Sequence, residues 1–341
     1  MTPTPRLPLF AGLPLAVGAG LAIPVQGRIN GALGARLNDG IAAAVVGFST
    51  GLVLMILISL TLPSGRAGLA RILPAVRTRA FPPAYVLAGG IGALFVFAQS
   101  FTVGILGVAL FTVAAVTGQT LSGLLVDRLG IGPAGKRAVT GMRVIGCVLT
   151  VAAVAWAVSP RLAGAPGTHG PTADGAGGLE TLILPLFLPV LAGFLMSFQQ
   201  AMNGTATVHY GSPIAATLVN FVSGTVFLWI ALAIKVAAFG PGNPLPAEWW
   251  YYLGGPMGCI FIGLAAMLVR SLGVLMTGLG MIAGQLLGSL GLDLIVPAPG
   301  SIVATATVLG TLVTLAAIIL ATLPWPRGAF RRQGPPRGIA R

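Results

Sequence analysis

Ten apolar runs dominate this chain, near residues 8–27, 41–62, 84–101, 104–126, 142–158, 181–201, 213–235, 249–268, 272–292 and 300–323. Each is long enough to cross the hydrocarbon of a bilayer as a helix rising about 1.5 Å per residue. Only 7% of the residues are charged, where a soluble domain carries about 25%. A surface that poor in charge cannot face water, so the predicted fold class is an all-α integral membrane protein. Runs of this length favour helices over a barrel, whose strands need about ten residues. The 50 glycines and 26 prolines fit membrane helices, which tolerate proline and pack closely through glycine. Only Arg6 precedes the first run, which is itself long enough to span. It reads as an attached helix rather than a cleaved signal peptide.

The chain also contains itself twice. Residues 26–51 align without a gap on 199–224 with 9 of 26 identical, and 88–127 on 254–293 with 12 of 40 identical. Polar residues recur in register: Gln26 on Gln199, Asn30 on Asn203, Gly118-Gln119 on Gly284-Gln285, and Asp127 on Asp293. A repeat in a chain this hydrophobic marks a transporter built from two halves.

Basic residues orient the chain. With ten spans, one side holds both termini and 15 of the 19 Lys and Arg residues, leaving Arg28, Arg36, Arg161 and Lys235 for the other. The positive-inside rule then puts both termini in the cytoplasm. Five spans per half invert one half relative to the other. The basic loop at 63–83, with four arginines, accordingly has a counterpart at 236–248 with no base. The predicted organisation is an N-terminal five-helix repeat over 1–158, a flexible outward linker over 159–180, a C-terminal inverted five-helix repeat over 181–323, and a basic cytoplasmic tail over 324–341. The linker is rich in Gly, Ala and Pro. The tail arginines suit the anionic inner leaflet.

Polar side chains within spans face other helices or a cavity, because lipid offers them no partner. Gln119 and Gln285 are the first candidates for substrate contact. Each amide offers two donors and an acceptor, suited to a neutral or zwitterionic solute, and each follows a glycine. The alternative is that each ties two helices together. Gln26 and Asn30 share a helical face, as do Gln199 and Asn203. These pairs line the outer and inner mouths if their helices run on past Pro24 and Met202, and cap helix ends if not. Arg28 either attracts an anion or snorkels to the interface. Asp127 and Asp293 are expected to cap the following turn or pair with a base, with proton transfer as the sharper alternative. Gln99 and Asn220 read as local helix glue, and Trp249 to Tyr252 as an interfacial belt.

Other chemistries find little support. The net charge of +13 comes from short connections and the tail, without interleaved aromatics, so no nucleic-acid partner is expected. Cys147 and Cys259 fall inside spans and read as small packing residues. His169 and His209 are expected in loops, and no metal-ligand spacing occurs. No acid/base pair or Cys–His pair suggests an enzyme, and no cofactor is expected.

The doubled patterns Gln-x3-Asn-Gly, Phe-x2-Gly (Phe48 to Gly51, Phe221 to Gly224), Leu-Gly-Val and Gly-Gln resemble those of the drug/metabolite transporter superfamily. The likeness is to its YdcZ-like branch of bacterial inner-membrane proteins, and it covers the chain apart from the linker and tail. The resemblance implies a cavity between the halves, bounded by the first, third, fourth, sixth, eighth and ninth helices. It also implies export or exchange of small metabolites or amphipathic compounds. Related small multidrug exporters use a glutamate in their first helix, and this chain has none there. The reading is therefore a transporter of a small organic solute by alternating access, with membrane lipids around it and a homodimer as one assembly open to it. The alternatives are a flippase for a lipid or lipid-linked sugar, and a non-transporting membrane partner protein.

Overall fold

The computed structural model describes residues 9–133, 135–136, 141–162, 179–272, 274–297 and 305–322. Its regular elements are all helical: α1 (Leu9–Gly20), α2 (Ala22–Leu37), α3 (Gly40–Thr61), α4 (Pro63–Arg77), α5 (Gly89–Leu106), α6 (Val108–Leu129), α7 (Gly141–Leu162), α8 (Leu179–Tyr210), α9 (Pro213–Phe239), α10 (Gly254–Leu272), α11 (Val274–Ile295) and α12 (Thr305–Thr322). Short 3-10 turns at Pro83–Ala88 and Trp249–Leu253 lead into α5 and α10. Helix is present at each apolar run. Among the described residues, five segments are long and apolar enough to cross a membrane: Gly40–Thr61, Pro83–Leu106, Val108–Val126, Ile183–Tyr210 and Pro213–Phe239.

Several boundaries differ from those read in the sequence. The first run is two helices, and the second continues to Leu37. Pro24 has no N–H for the carbonyl of Gly20, and the backbone hitches at Leu21. The connection between α5 and α6 is Gly107, not Thr102-Val103; its φ of 80° is a conformation that a glycine adopts without strain. The basic loop at 63–83 contains α4, opened by Pro63 at its first turn. His209 lies in the last turn of α8 rather than in a loop, its ring 5.5 Å from that of Phe81. The outer parts of the predicted linker are helical, to Leu162 and from Leu179. His169 and residues 163–178 of the linker, the tail from 324, and the side chains of Asp127, Arg143 and Cys147 lie outside the described residues.

The core lies where α3 and α9 cross. Both helices are apolar all round, so burial separates their faces. Ala44, Phe48, Gly51 and Met55 recur at helical spacing and are buried on α3, while Val53, Leu57 and Leu60 are exposed. On α9, Phe221, Gly224 and Leu228 are buried, and Val222, Val226 and Ile230 are exposed. Exposed apolar faces of this kind suit contact with lipid. Phe48 and Phe221 pack with ring centroids 5.2 Å apart. Each ring lies where a side chain at the other helix's glycine would be: Phe221 against Gly51, Phe48 against Gly224.

This reciprocity runs through the packing. A methyl group on Gly89 of α5 would strike the Asn220 carbonyl and the Gly224 nitrogen, and one on Gly255 of α10 would strike the Gly47 carbonyl and the Gly51 nitrogen. In the alignment of the repeats, Gly89 corresponds to Gly255, Asn220 to Gly47, and Gly224 to Gly51. Gly118 of α6 abuts the Val190 carbonyl of α8, and Gly284 of α11 abuts the Val17 carbonyl of α1. At these two pairs of crossings, aligned glycines thus meet aligned backbone. Small residues at these crossings let the backbones approach closely, the source of helix association where lipid is as apolar as the side chains.

The fold therefore predicts that Gly89→Val destabilises the detergent-purified protein by about 1–3 kcal/mol, as overpacking does. Gly104→Ala, whose added methyl would meet nothing within 4 Å, should stay within about 1 kcal/mol of the parent. Thermal unfolding of both checks this, and equal stabilities would contradict the close crossing.

Candidate functional site: paired amide clusters at the helix crossings

α2 and α8 run well past Pro24 and Met202, so neither Gln-x3-Asn pair sits at a helix end. Terminal capping is thereby excluded for them. The pairs project into the packed interior. Gln26, Asn30 and Gln199 are buried, and Asn203 is half-buried.

In the first cluster, the Asn30 side-chain N–H donates to Gln99 Oε1 of α5 at 3.0 Å. Asn30 is 0% exposed and Gln99 1%. The other ends of both amides, Asn30 Oδ1 and Gln99 Nε2, have no hydrogen-bond partner. Asn30 Oδ1 lies against the backbone of Gly47 and Gly254, and Gln99 Nε2 against Gly27. Leaving a buried amide group unpaired costs about 1–3 kcal/mol. One acceptor and one donor are therefore buried without a partner in the protein. The Gln26 amide lies beside Gly258 of α10.

The second cluster uses the same motif with a different partner. Gln199 Nε2 and Asn203 Nδ2 both donate to Asn220 Oδ1 of α9, at 2.8 and 3.2 Å. Gln199 packs beside Gly92 of α5, as Gln26 packs beside Gly258. Gly92 and Gly258 are aligned in the repeat. The counterpart of Asn220 is Gly47, and a side chain built there would lie 3.3 Å from Asn30 Oδ1. That missing side chain explains why Asn30 turns to Gln99 and leaves its carbonyl unmet. Gln99 and Asn220 are thus the hubs of the two clusters. Their signal in the sequence was an amide inside an apolar run, but nothing in the sequence indicated which helix each would meet.

Gln119 and Gln285 are placed differently from these clusters and from each other. Gln285 is buried on α11, and Gln119 is half-buried on α6. The Gln119 carbonyl accepts from Ser197 Oγ of α8 at 2.9 Å and from Ser122 Oγ at 3.2 Å. Among the described residues no hydrogen bond joins the two glutamine side chains.

Other polar residues tie the halves together. Asp293 reaches the start of another helix. Its two carboxylate oxygens accept from the backbone N–H groups of Val108 and Ala109, at 3.1 and 2.7 Å. Those are the first N–H groups of α6, which lack partners within their own helix and lie at its positive end. Arg28 donates to the Pro297 carbonyl at 3.1 Å, so its guanidinium is held at the end of α11. Cys259 is a buried packing residue whose thiol lies 3.5 Å from the Gly51 carbonyl. Among the described residues, no group of three or more His, Cys, Asp or Glu could hold a metal ion.

A family model described as "Putative inner membrane exporter, YdcZ" matches residues 11–156 and 184–320. No curated protein matches the chain.

Replacing Asn220 by Leu removes the acceptor of two donors, the buried Gln199 and the half-buried Asn203. The expected loss of stability is about 1–2 kcal/mol, since hydrogen bonds between membrane helices are worth about 0.6–2 kcal/mol each. Gln99→Met removes a single bond and relieves an unpaired N–H, so it should cost less. Unfolding of both variants in detergent checks the order, and a reversed order would contradict the two-donor assignment.

Proposed function

This chain belongs to the YdcZ family of inner-membrane exporters, and from that premise we propose that it carries a small organic solute across the membrane by alternating access. In this reading, α1 with α2, then α3, α5, α6 and α7 are the five spans of the first half. The spans of the second half are α8 to α12. An odd number of spans inverts the second half, and both termini lie in the cytoplasm. The distribution of 15 and 4 basic residues supports that orientation.

The observation that carries the mechanism is the reciprocal crossing of Phe48 and Gly51 with Phe221 and Gly224. Two halves that meet through equivalent surfaces can exchange packings at nearly equal free energy. A rocking motion about the crossing would then open one face while closing the other. The exporter is not expected to be an enzyme, since what it requires is a bound solute and a moving barrier.

Solute contact is assigned to Gln119 and Gln285, with Gln26, Asn30, Gln199 and Asn203 alongside. For Asn30 the support is its unpaired carbonyl, which with the Gln99 N–H beside it offers an uncharged solute one acceptor and one donor. Uncharged amide donors and acceptors suit a neutral or zwitterionic compound.

The test is thermal stabilisation of the purified protein by a library of amines, amino acids, nucleosides and sugars. A ligand at about 100 times its Kd should stabilise by about 2.7 kcal/mol. That gain should vanish in Gln119→Ala and Gln285→Ala, with both variants still folded. An undiminished gain in both would remove these glutamines from the site. Stabilisation by lipids alone would turn the reading to a flippase. Orientation is checked separately in sealed vesicles: protease should reach the C-terminal tail only from the cytoplasmic face, and cleavage from outside would overturn the assignment.

A further inference from the structure

The two wedges left by the crossing of α3 and α9 are filled differently. In one, α4 lies across the start of α9. A methyl group added to its Gly68 would come within 2.5 Å of Ser212 Cβ and 2.7 Å of Ala215 Cβ. The residues aligned with Ser212 and Ala215 in the repeat are Asp39 and Ala42. They face the opposite wedge, where the connection after α9 contains no helix to match α4 before Trp249. A cavity of about 420 Å³ remains there, and both residues line it.

The walls of this cavity are Val45 and Val46 of α3 and Trp229, Leu232 and Val236 of α9. Ser49 also lines it, ten residues along α3 from Asp39, so the cavity is about 15 Å long at 1.5 Å per residue. Its lining is almost wholly apolar, which suits a hydrocarbon chain. Trp229, Ile230, Ile234 and Phe239 are exposed beside it, an apolar flank of the kind that meets lipid.

One end of the slot meets an ion pair, in which Asp39 lines the slot and Lys235 stands beside it. Lys235 Nζ lies 2.8 Å from Asp39 Oδ2 and donates to the Gly240 carbonyl at 2.9 Å. Asp39 is committed elsewhere too, because its Oδ1 accepts from the Ile41 and Ala42 N–H groups at 3.0 Å. An ammonium has three donors. The Lys235 side chain is 22% exposed, with its third N–H available to an anion. Arg36 is exposed on the same side, and Asn243 donates to its carbonyl.

We infer that this slot holds one acyl chain of a membrane phospholipid, with the headgroup phosphate at Lys235. The inference rests on the chain being a membrane protein, and under the orientation proposed above the lipid comes from the outer leaflet. The lipid chain fills on this face the wedge that α4 fills on the other. An apolar slot open beside lipid-facing side chains, with the half-buried Lys235 ammonium next to one end, fits a phospholipid.

Native mass spectrometry of the protein, extracted from membranes in mild detergent, tests this. The parent should retain one phospholipid per chain that Ser49→Phe and the milder Ala42→Leu, which fill the slot, do not. Lys235→Ala should lower retention at least tenfold at the same detergent concentration. Leu57→Phe, on the exposed face of α3 away from the slot, should retain lipid as the parent does. Circular dichroism establishes folding, and Ala42→Leu decides the matter if Ser49→Phe does not fold. Equal retention by the parent and Ala42→Leu would overturn the proposal, as would equal loss in Leu57→Phe. Lipid retention is read without any transport measurement, so its failure leaves the exporter reading untouched.

Discussion

Within hydrocarbon no water completes a hydrogen bond, so backbone polar groups must find their partners in the protein and an unmet side-chain group is costly. The rest of the structure depends on that constraint. It makes the spans helical, and it places side-chain amides where helices approach most closely. Gln99 meets Asn30 across α2 and α5, and Asn220 meets Gln199 and Asn203 across α8 and α9. Even a carboxylate conforms, with Asp293 satisfying the first N–H groups of α6. Glycines at the crossings make these short approaches sterically possible.

Against this shared plan, the differences between the halves are informative. The second cluster is closed, with two donors on one acceptor. The first leaves a carbonyl and an N–H unmet. α4 fills the wedge at one face of the α3–α9 crossing, and a slot remains at the other. Asp39 stands where its repeat has Ser212. Both cap the helix that follows, but only Asp39 also engages a lysine. The packing of the crossing is common to both halves, so function is best sought where they diverge.

Much of the fold was legible in the sequence because the bilayer limits the choices. A long apolar run has little alternative to a helix, and the ten runs all contain helix. Finer features depended on distant partners. α4 does not stand out in the sequence because Pro63, Pro74, two glycines and its arginines weaken a helical pattern. Its packing on Ser212 and Ala215 compensates for that. The α5–α6 boundary was misplaced because the chain is apolar through Leu106, and only the positive φ of Gly107 ends the helix. For Asp293, the sequence offers a local cap or a base as partner, and gives no sign of the Val108 and Ala109 N–H groups, 185 and 184 residues away, that it accepts from.

The sequence by itself determined that this chain belongs in a membrane, and that residues of 26–51 and 88–127 recur in register at 199–224 and 254–293. Hydropathy and repeated residues are local properties, readable one run at a time. Which glutamine meets which asparagine, and which wedge stays open, was decided only by the tertiary structure. Those outcomes turn on how helices far apart in sequence cross, and a glycine in one helix acquires its meaning from the side chain that another helix brings against it.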